Sequence, residues 1–96
     1  MTKMIPTVHM NGTSLGELIR GWDSVAEAAD VLVAKIRSLE FNARDYYPQG
    51  DGAWLAAAEE MKAHVEAIHR MHAAAGEIME ALYCIEDERK ARGGSK

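Results

Sequence analysis

Apolar residues recur at alternating intervals of three and four along two long stretches of the chain. The first series is Leu15, Leu18, Trp22, Val25, Ala29, Leu32, Ile36 and Leu39, and the second is Trp54, Ala58, Met61, Val65, Ile68, His72, Ala75, Met79, Leu82 and Ile85. This alternation predicts two helices, each packed against another helix along one face. Ile19, Ala26 and Val33 widen the first stripe, so we expect the first helix to contact more than one neighbour.

Capping and turn residues divide the chain into segments. Ser14 and Glu17 have the spacing of a capping box, which marks a helix start. Pro6 disfavours helix before it, and Asn11-Gly12 is typical of a turn. The sequence therefore predicts one helical domain with an extended arm at 1–13, a helix at 14–41, a loop at 42–52, a helix at 53–88 and a frayed tail at 89–96. The predicted fold class is all-α, an arm followed by a two-helix antiparallel hairpin.

Composition adds the expectation of self-assembly. Of the 96 residues, 48% are hydrophobic, which is more than a lone hairpin of helices can bury. We therefore expect the hairpins to associate into a homo-oligomeric helical bundle. The net charge of −4 argues against duplex nucleic acid as a partner. No secretion signal or membrane-length apolar run is recognisable, so we expect a cytosolic protein with no membrane partner.

The sequence holds no pattern typical of catalysis. A nucleophile elbow, a phosphate-binding loop and a dinucleotide-binding glycine motif are all missing, so we expect neither an enzyme nor a cofactor. Glu66 and His69 have the spacing with which ferritin-like proteins hold iron. Because this pair lies beside the apolar stripe rather than on it, we expect no metal site, and a metal-binding hairpin is the weaker alternative.

Two groups of polar residues are candidates for ligand binding. On the arm, His9, Met10, Asn11 and Thr13 precede a helix N-terminus, where backbone amides favour anions. The alternative is an ordinary helix entry.

In the loop, Arg44 suits phosphate and Tyr46 can stack on a base. The tyrosines alternatively close the end of the hairpin. Lys62 and Arg70 on the second helix are further candidates for phosphate contacts, although such residues are more often solvated.

The arm from Pro6 to Ser14, the loop from Asn42 to Gly50 and the two-helix layout together resemble the phage anti-CBASS sponge proteins. The resemblance implies a hexamer that sequesters cyclic oligonucleotide immune signals between subunits without cleaving them. It implies a nucleotide contact at Asn11 and phosphate contacts at Arg70 or Lys62. A tyrosine and a lysine that it implies for cyclic dinucleotides are replaced by Met10 and by uncharged Val25-Ala26, so this departure counts against cyclic dinucleotides and affects cyclic trinucleotides or other signals less.

Two functions therefore follow from the sequence. The first is a non-catalytic phage anti-defence protein whose partners are further copies of itself and a cyclic oligonucleotide. The second is a small helical adaptor or inhibitor that binds a host protein through an exposed apolar face.

Overall fold

The computed structural model describes residues 4–93, and these form an antiparallel pair of long helices. Helix α1 spans Leu15–Ser38 and helix α2 spans Ala53–Gly93. Two single turns of 3₁₀ helix, Ala43–Asp45 and Tyr47–Gln49, lie in the connection. No strand occurs among the described residues. The predicted all-α class and the antiparallel hairpin are confirmed.

The predicted start of α1 is confirmed at its cap. Ser14 is the N-cap, and its Oγ accepts a hydrogen bond from the backbone N of Glu17 at 3.2 Å. The helix ends at Ser38, three residues before the predicted limit. The Ser38 hydroxyl donates to the carbonyl oxygen of Lys35 at 2.8 Å, and Leu39 has extended backbone angles. A serine that bonds the preceding turn in this way commonly accompanies a helix end.

Glycines set the chain direction before α2. Gly50 and Gly52 have φ angles of 110° and 85°, which a side chain would strain. Helix α2 begins at Ala53, as predicted, and the carbonyl oxygen of Gly52 accepts from the backbone N of Ala56 at 3.0 Å. Gly52 therefore holds the N-cap position of α2.

Helix α2 is longer than its apolar pattern indicates. It continues through the polar segment to Gly93, five residues past the predicted limit. Within this extension Lys90 Nζ lies 3.5 Å from the Oε1 atom of Glu86, one turn earlier. Basic residues in the last turn also complement the helix dipole. The predicted frayed tail is thus helical up to residue 93, and its last three residues lie outside the described chain.

The contact face of α1 differs in register from the predicted one. Ile19, Ala26 and Val33 are buried, whereas Val25, Leu32 and Leu39 are 37%, 48% and 55% exposed. The predicted seam is therefore wrong at Val25, Leu32 and Leu39, whereas Leu18 packs against the core as predicted. On α2 the predicted positions Ala75 and Leu82 are fully buried, but Ile78, which the predicted series omits, is buried as well.

The core is narrow and lies at the arm end of the hairpin. Leu15 and Ile19 of α1 pack with Ile78 and Leu82 of α2. The long dimension of the molecule is 71 Å, and its radius of gyration is 20.1 Å, compared with about 12 Å for a compact domain of this length. No helix among residues 4–93 combines the length and apolar character required to cross a membrane.

Candidate functional site

The arm is held against the core by two apolar side chains, and its polar residues remain exposed. Ile5 and Val8 pack against the core cluster. The chain then turns, with the backbone N of Gly12 donating to the carbonyl oxygen of His9 at 3.1 Å. A Cβ at Gly12 would lie 2.7 Å from Nε2 of His9, so glycine lets the imidazole lie over this turn.

All four candidate residues of the arm face solvent. His9, Asn11 and Thr13 are exposed, and Met10 is 97% exposed. An exposed methionine beside polar groups is available to contact a ligand or another chain. The helix start itself is partly satisfied from within, because Ser14 already accepts from an amide of the first turn.

The loop candidates divide into a packed ring and an exposed cation. Tyr46 belongs to an aromatic cluster, with its ring centroid 5.7 Å from that of Phe41 and 5.8 Å from that of Trp54. Phe41 and Trp54 lie 4.8 Å apart in turn. This packing agrees with the alternative in which the tyrosine closes the end of the hairpin. Arg44 is exposed, and Tyr47 is 68% exposed, so these two side chains are free to meet a ligand.

Lys62 and Arg70 are exposed on α2. A separation of eight residues places them about 12 Å apart along the helix and about 80° apart around it. They therefore do not point into one groove of a single chain. Glu66 and His69 are also exposed, and the described residues contain no group of three or more His, Cys, Asp or Glu side chains arranged to hold a metal ion.

The predicted ligand-binding residues do not converge within one chain. The arm packs against the core cluster, which contains Ile78 and Leu82 of the second half of α2, whereas Arg44 and Tyr46 lie in the connection before α2. The hairpin is 71 Å long, so the two groups lie toward opposite ends of the molecule, with Arg70 between them. A site containing residues from more than one group must be formed by more than one chain.

An open depression lies on α1 at a place that the sequence did not indicate. It has a volume of about 510 Å³ and is lined by Ser24, Glu27, Ala28, Val31, Leu32 and Lys35. All of these residues belong to one helix, so the depression is a surface concavity rather than an enclosed pocket. Of its apolar lining residues, Leu32 belongs to the predicted stripe of α1, whereas Ala28 and Val31 lie outside that stripe.

An ion pair joins the two helices. Nε2 of His72 lies 3.3 Å from Oδ1 of Asp30, and the side chains are 44% and 75% exposed. His72 was predicted to lie on the seam, and it does so at the seam edge, where its ring reaches α1. This pair defines one side of the hairpin.

Comparison with known proteins gives no assignment: no family model matches the chain, and no curated protein or solved structure shows significant similarity to it.

Proposed function

We propose that this chain is a non-catalytic binding module that works as a homo-oligomer and sequesters a cyclic oligonucleotide between its subunits. In this proposal it is a phage anti-defence protein that lowers the concentration of a bacterial immune signal. The ligand class comes from the resemblance of the arm, the loop and the hairpin to the sponge proteins.

The observation that carries the proposal is the separation of the candidate residues. Exposed polar groups lie at the arm, at the loop and along α2, and the concavity on α1 contains none of the candidate residues. A ligand with several phosphates and bases would contact all three groups only where hairpins lie side by side. Arginine suits such a ligand because its planar guanidinium forms paired hydrogen bonds with phosphate.

The surface area also supports assembly. The accessible surface is 7392 Å², whereas a compact monomer of 10.6 kDa exposes about 5,500 Å². The excess, about 1,900 Å², exceeds the roughly 800 Å² that each partner buries in a standard interface. Assembly would cover that surface and would bring copies of the sparse basic residues together.

The test is a charge reversal at Arg70 with a matched control. Arg70→Glu is expected to remove binding of a cyclic trinucleotide in isothermal titration calorimetry while the sedimentation mass stays unchanged. Arg37→Glu makes the same charge change at an exposed residue of α1 and is expected to bind as the wild type does. Chromatography of the released ligand is expected to recover it intact. Wild-type protein that binds no cyclic di- or trinucleotide would contradict the proposal, and unchanged binding by Arg70→Glu would remove Arg70 from the site.

The second candidate function is a helical adaptor or inhibitor of a host protein. It is favoured by the exposed apolar residues of α1, among them Val25, Val31 and Leu32, which would suit a foreign helix. A chain that stays monomeric at micromolar concentration and binds no nucleotide would favour this function over the first.

A further inference from the structure

The ion pair between the helices defines two sides of the hairpin. Asp30 of α1 meets His72 of α2, so both residues lie on the same side, here called the ion-pair side. A step of five residues back or two residues forward turns an α-helix by about 140° to 160°. Residues at those steps from Asp30 and from His72 therefore lie on the opposite side of the hairpin.

That opposite side is apolar on both helices. Val25 and Leu32 stand five residues before and two residues after Asp30, and Ala67 and Ala74 stand at the same steps from His72. Val25 and Leu32 are seven residues apart, as are Ala67 and Ala74, and further steps of seven residues reach other apolar residues on each helix. The apolar side consists of Leu18, Val25, Leu32 and Leu39 next to Ala67, Met71, Ala74 and Ala81.

Much of the apolar side is uncovered. Val25, Leu32, Leu39 and Met71 are 37%, 48%, 55% and 42% exposed. Large residues spaced by seven on one helix are typical of a seam between packed helices. The seam with α2 uses the neighbouring series, so Val25, Leu32 and Leu39 of this second series stay exposed, whereas Leu18 packs against the core cluster.

The two stripes are complementary in size. Branched side chains form the stripe on α1, and the stripe on α2 consists of three alanines and Met71. The helices are antiparallel, and the contact between Asp30 and His72 places these two residues at about the same height along the hairpin axis. Val25 therefore lies within about one helical turn of the height of Ala74. Leu32 stands in the same relation to Ala67. A large residue of one copy would therefore face an alanine of another copy at the same height.

We propose that a second copy of this chain covers the apolar side and forms a four-helix bundle with a two-fold axis parallel to the helices. With this axis, α1 of each copy lies antiparallel to α2 of the other copy. Each residue then lies at the same height in both copies, because rotation about the axis does not shift the chain along it. Each Leu32 then packs on Ala67 of the second copy. The surplus surface of about 1,900 Å² is sufficient for this interface, which needs roughly 800 Å² from each chain.

The inference rests on the proposed function only in requiring self-assembly, and it names the surface that assembles. It does not depend on the ligand.

The first experiment compares Leu32→Glu with Leu55→Glu. Leu55 is 65% exposed and lies outside both stripes, so the two variants make the same chemical change on and off the apolar side. Wild type and Leu55→Glu are expected to sediment as a dimer of about 21 kDa or a multiple of it, from a 10.6 kDa chain. Leu32→Glu is expected to lose at least half of that mass, because two unpaired carboxylates would enter the interface and weaken it about 100-fold or more.

The second experiment tests the arrangement in a protein that is already assembled. Leu32→Cys and Ala67→Cys are introduced on separately tagged chains, with the exposed Cys84 replaced by serine. Mild oxidation of the mixture is expected to join the two kinds of chain covalently, and neither chain alone is expected to form the link. Disulfide geometry requires Cα atoms within about 7 Å, so an α1-on-α1 arrangement would not produce this product.

The outcomes separate the two proposals. A monomeric wild type, a Leu32→Glu variant that is helical and keeps the wild-type mass, or a missing cross-link between the mixed chains would overturn the interface. If Leu32→Glu loses its helical circular dichroism, the cross-link decides. A dimer that forms the cross-link but binds no cyclic oligonucleotide would leave the interface standing and reject the proposed function.

Discussion

Leu82 is the side chain on which the hairpin depends most, and its truncation gives the sharpest stability prediction. Among the described residues it is the one large side chain that is fully buried, and it packs with Leu15, Ile19 and Ile78. Leu82→Ala removes three carbon atoms from this cluster. At about 0.8 kcal/mol for each buried methylene, the lost transfer free energy is about 2.4 kcal/mol.

The cavity that remains raises the expected cost to about 3 kcal/mol. This value lies at the low end of the range for buried leucines. The reason is that Ile5 and Val8 of the arm line the cluster and belong to no helix, so they can shift into the space. A chain of 96 residues is stabilised by about 5–14 kcal/mol in total, so the loss is a substantial fraction.

The assay is urea unfolding followed by circular dichroism. Wild type and variants must be compared at one protein concentration, because assembly makes the apparent stability depend on concentration. Leu55→Ala is the matched control, since this leucine is 65% exposed and its truncation is expected to change the free energy of unfolding by less than about 0.5 kcal/mol. A loss below about 1 kcal/mol for Leu82→Ala would refute the assignment of the core to this cluster.

Three smaller predictions follow from the ends and the edge of the hairpin. Trp54→Ala should destabilise the protein by about 3 kcal/mol and remove most of the near-ultraviolet circular dichroism, because its ring holds the loop cluster together; unchanged spectra would contradict that role. Ser14→Ala should cost about 1 kcal/mol in urea unfolding through loss of the cap bond, and a neutral result would show that the bond does not contribute. Asp30→Asn should change the free energy of unfolding by less than about 0.5 kcal/mol, because the pair with His72 is solvent-exposed; a loss above 2 kcal/mol would contradict this.

The helices were largely predictable because their signals are local. The capping box at Ser14 and the glycines before Ala53 act through neighbouring backbone groups, and both helix starts were predicted within one residue. The end of α2 was not predictable from apolar spacing, because its last turns after Ile85 are polar. There, helix propensity and charge pairing continue the helix without a core to pack on.

The spacing of apolar residues did not determine which face of α1 packs against α2. Two series of apolar residues share Leu15, Trp22, Ala29 and Ile36, and either one completes a three-four alternation. Only the position of α2 decides which series is buried, and that is a tertiary property. The candidate ligand residues were identified by chemistry alone, although the predicted helix between the arm and the loop already implied that these two segments lie far apart.

The most direct test of the central proposal is native mass spectrometry of the protein, alone and mixed with a panel of cyclic di- and trinucleotides. We expect a discrete assembly built from dimers of the 10.6 kDa chain, which gains the intact mass of a cyclic oligonucleotide. A monomer that gains no mass from any member of the panel would contradict it.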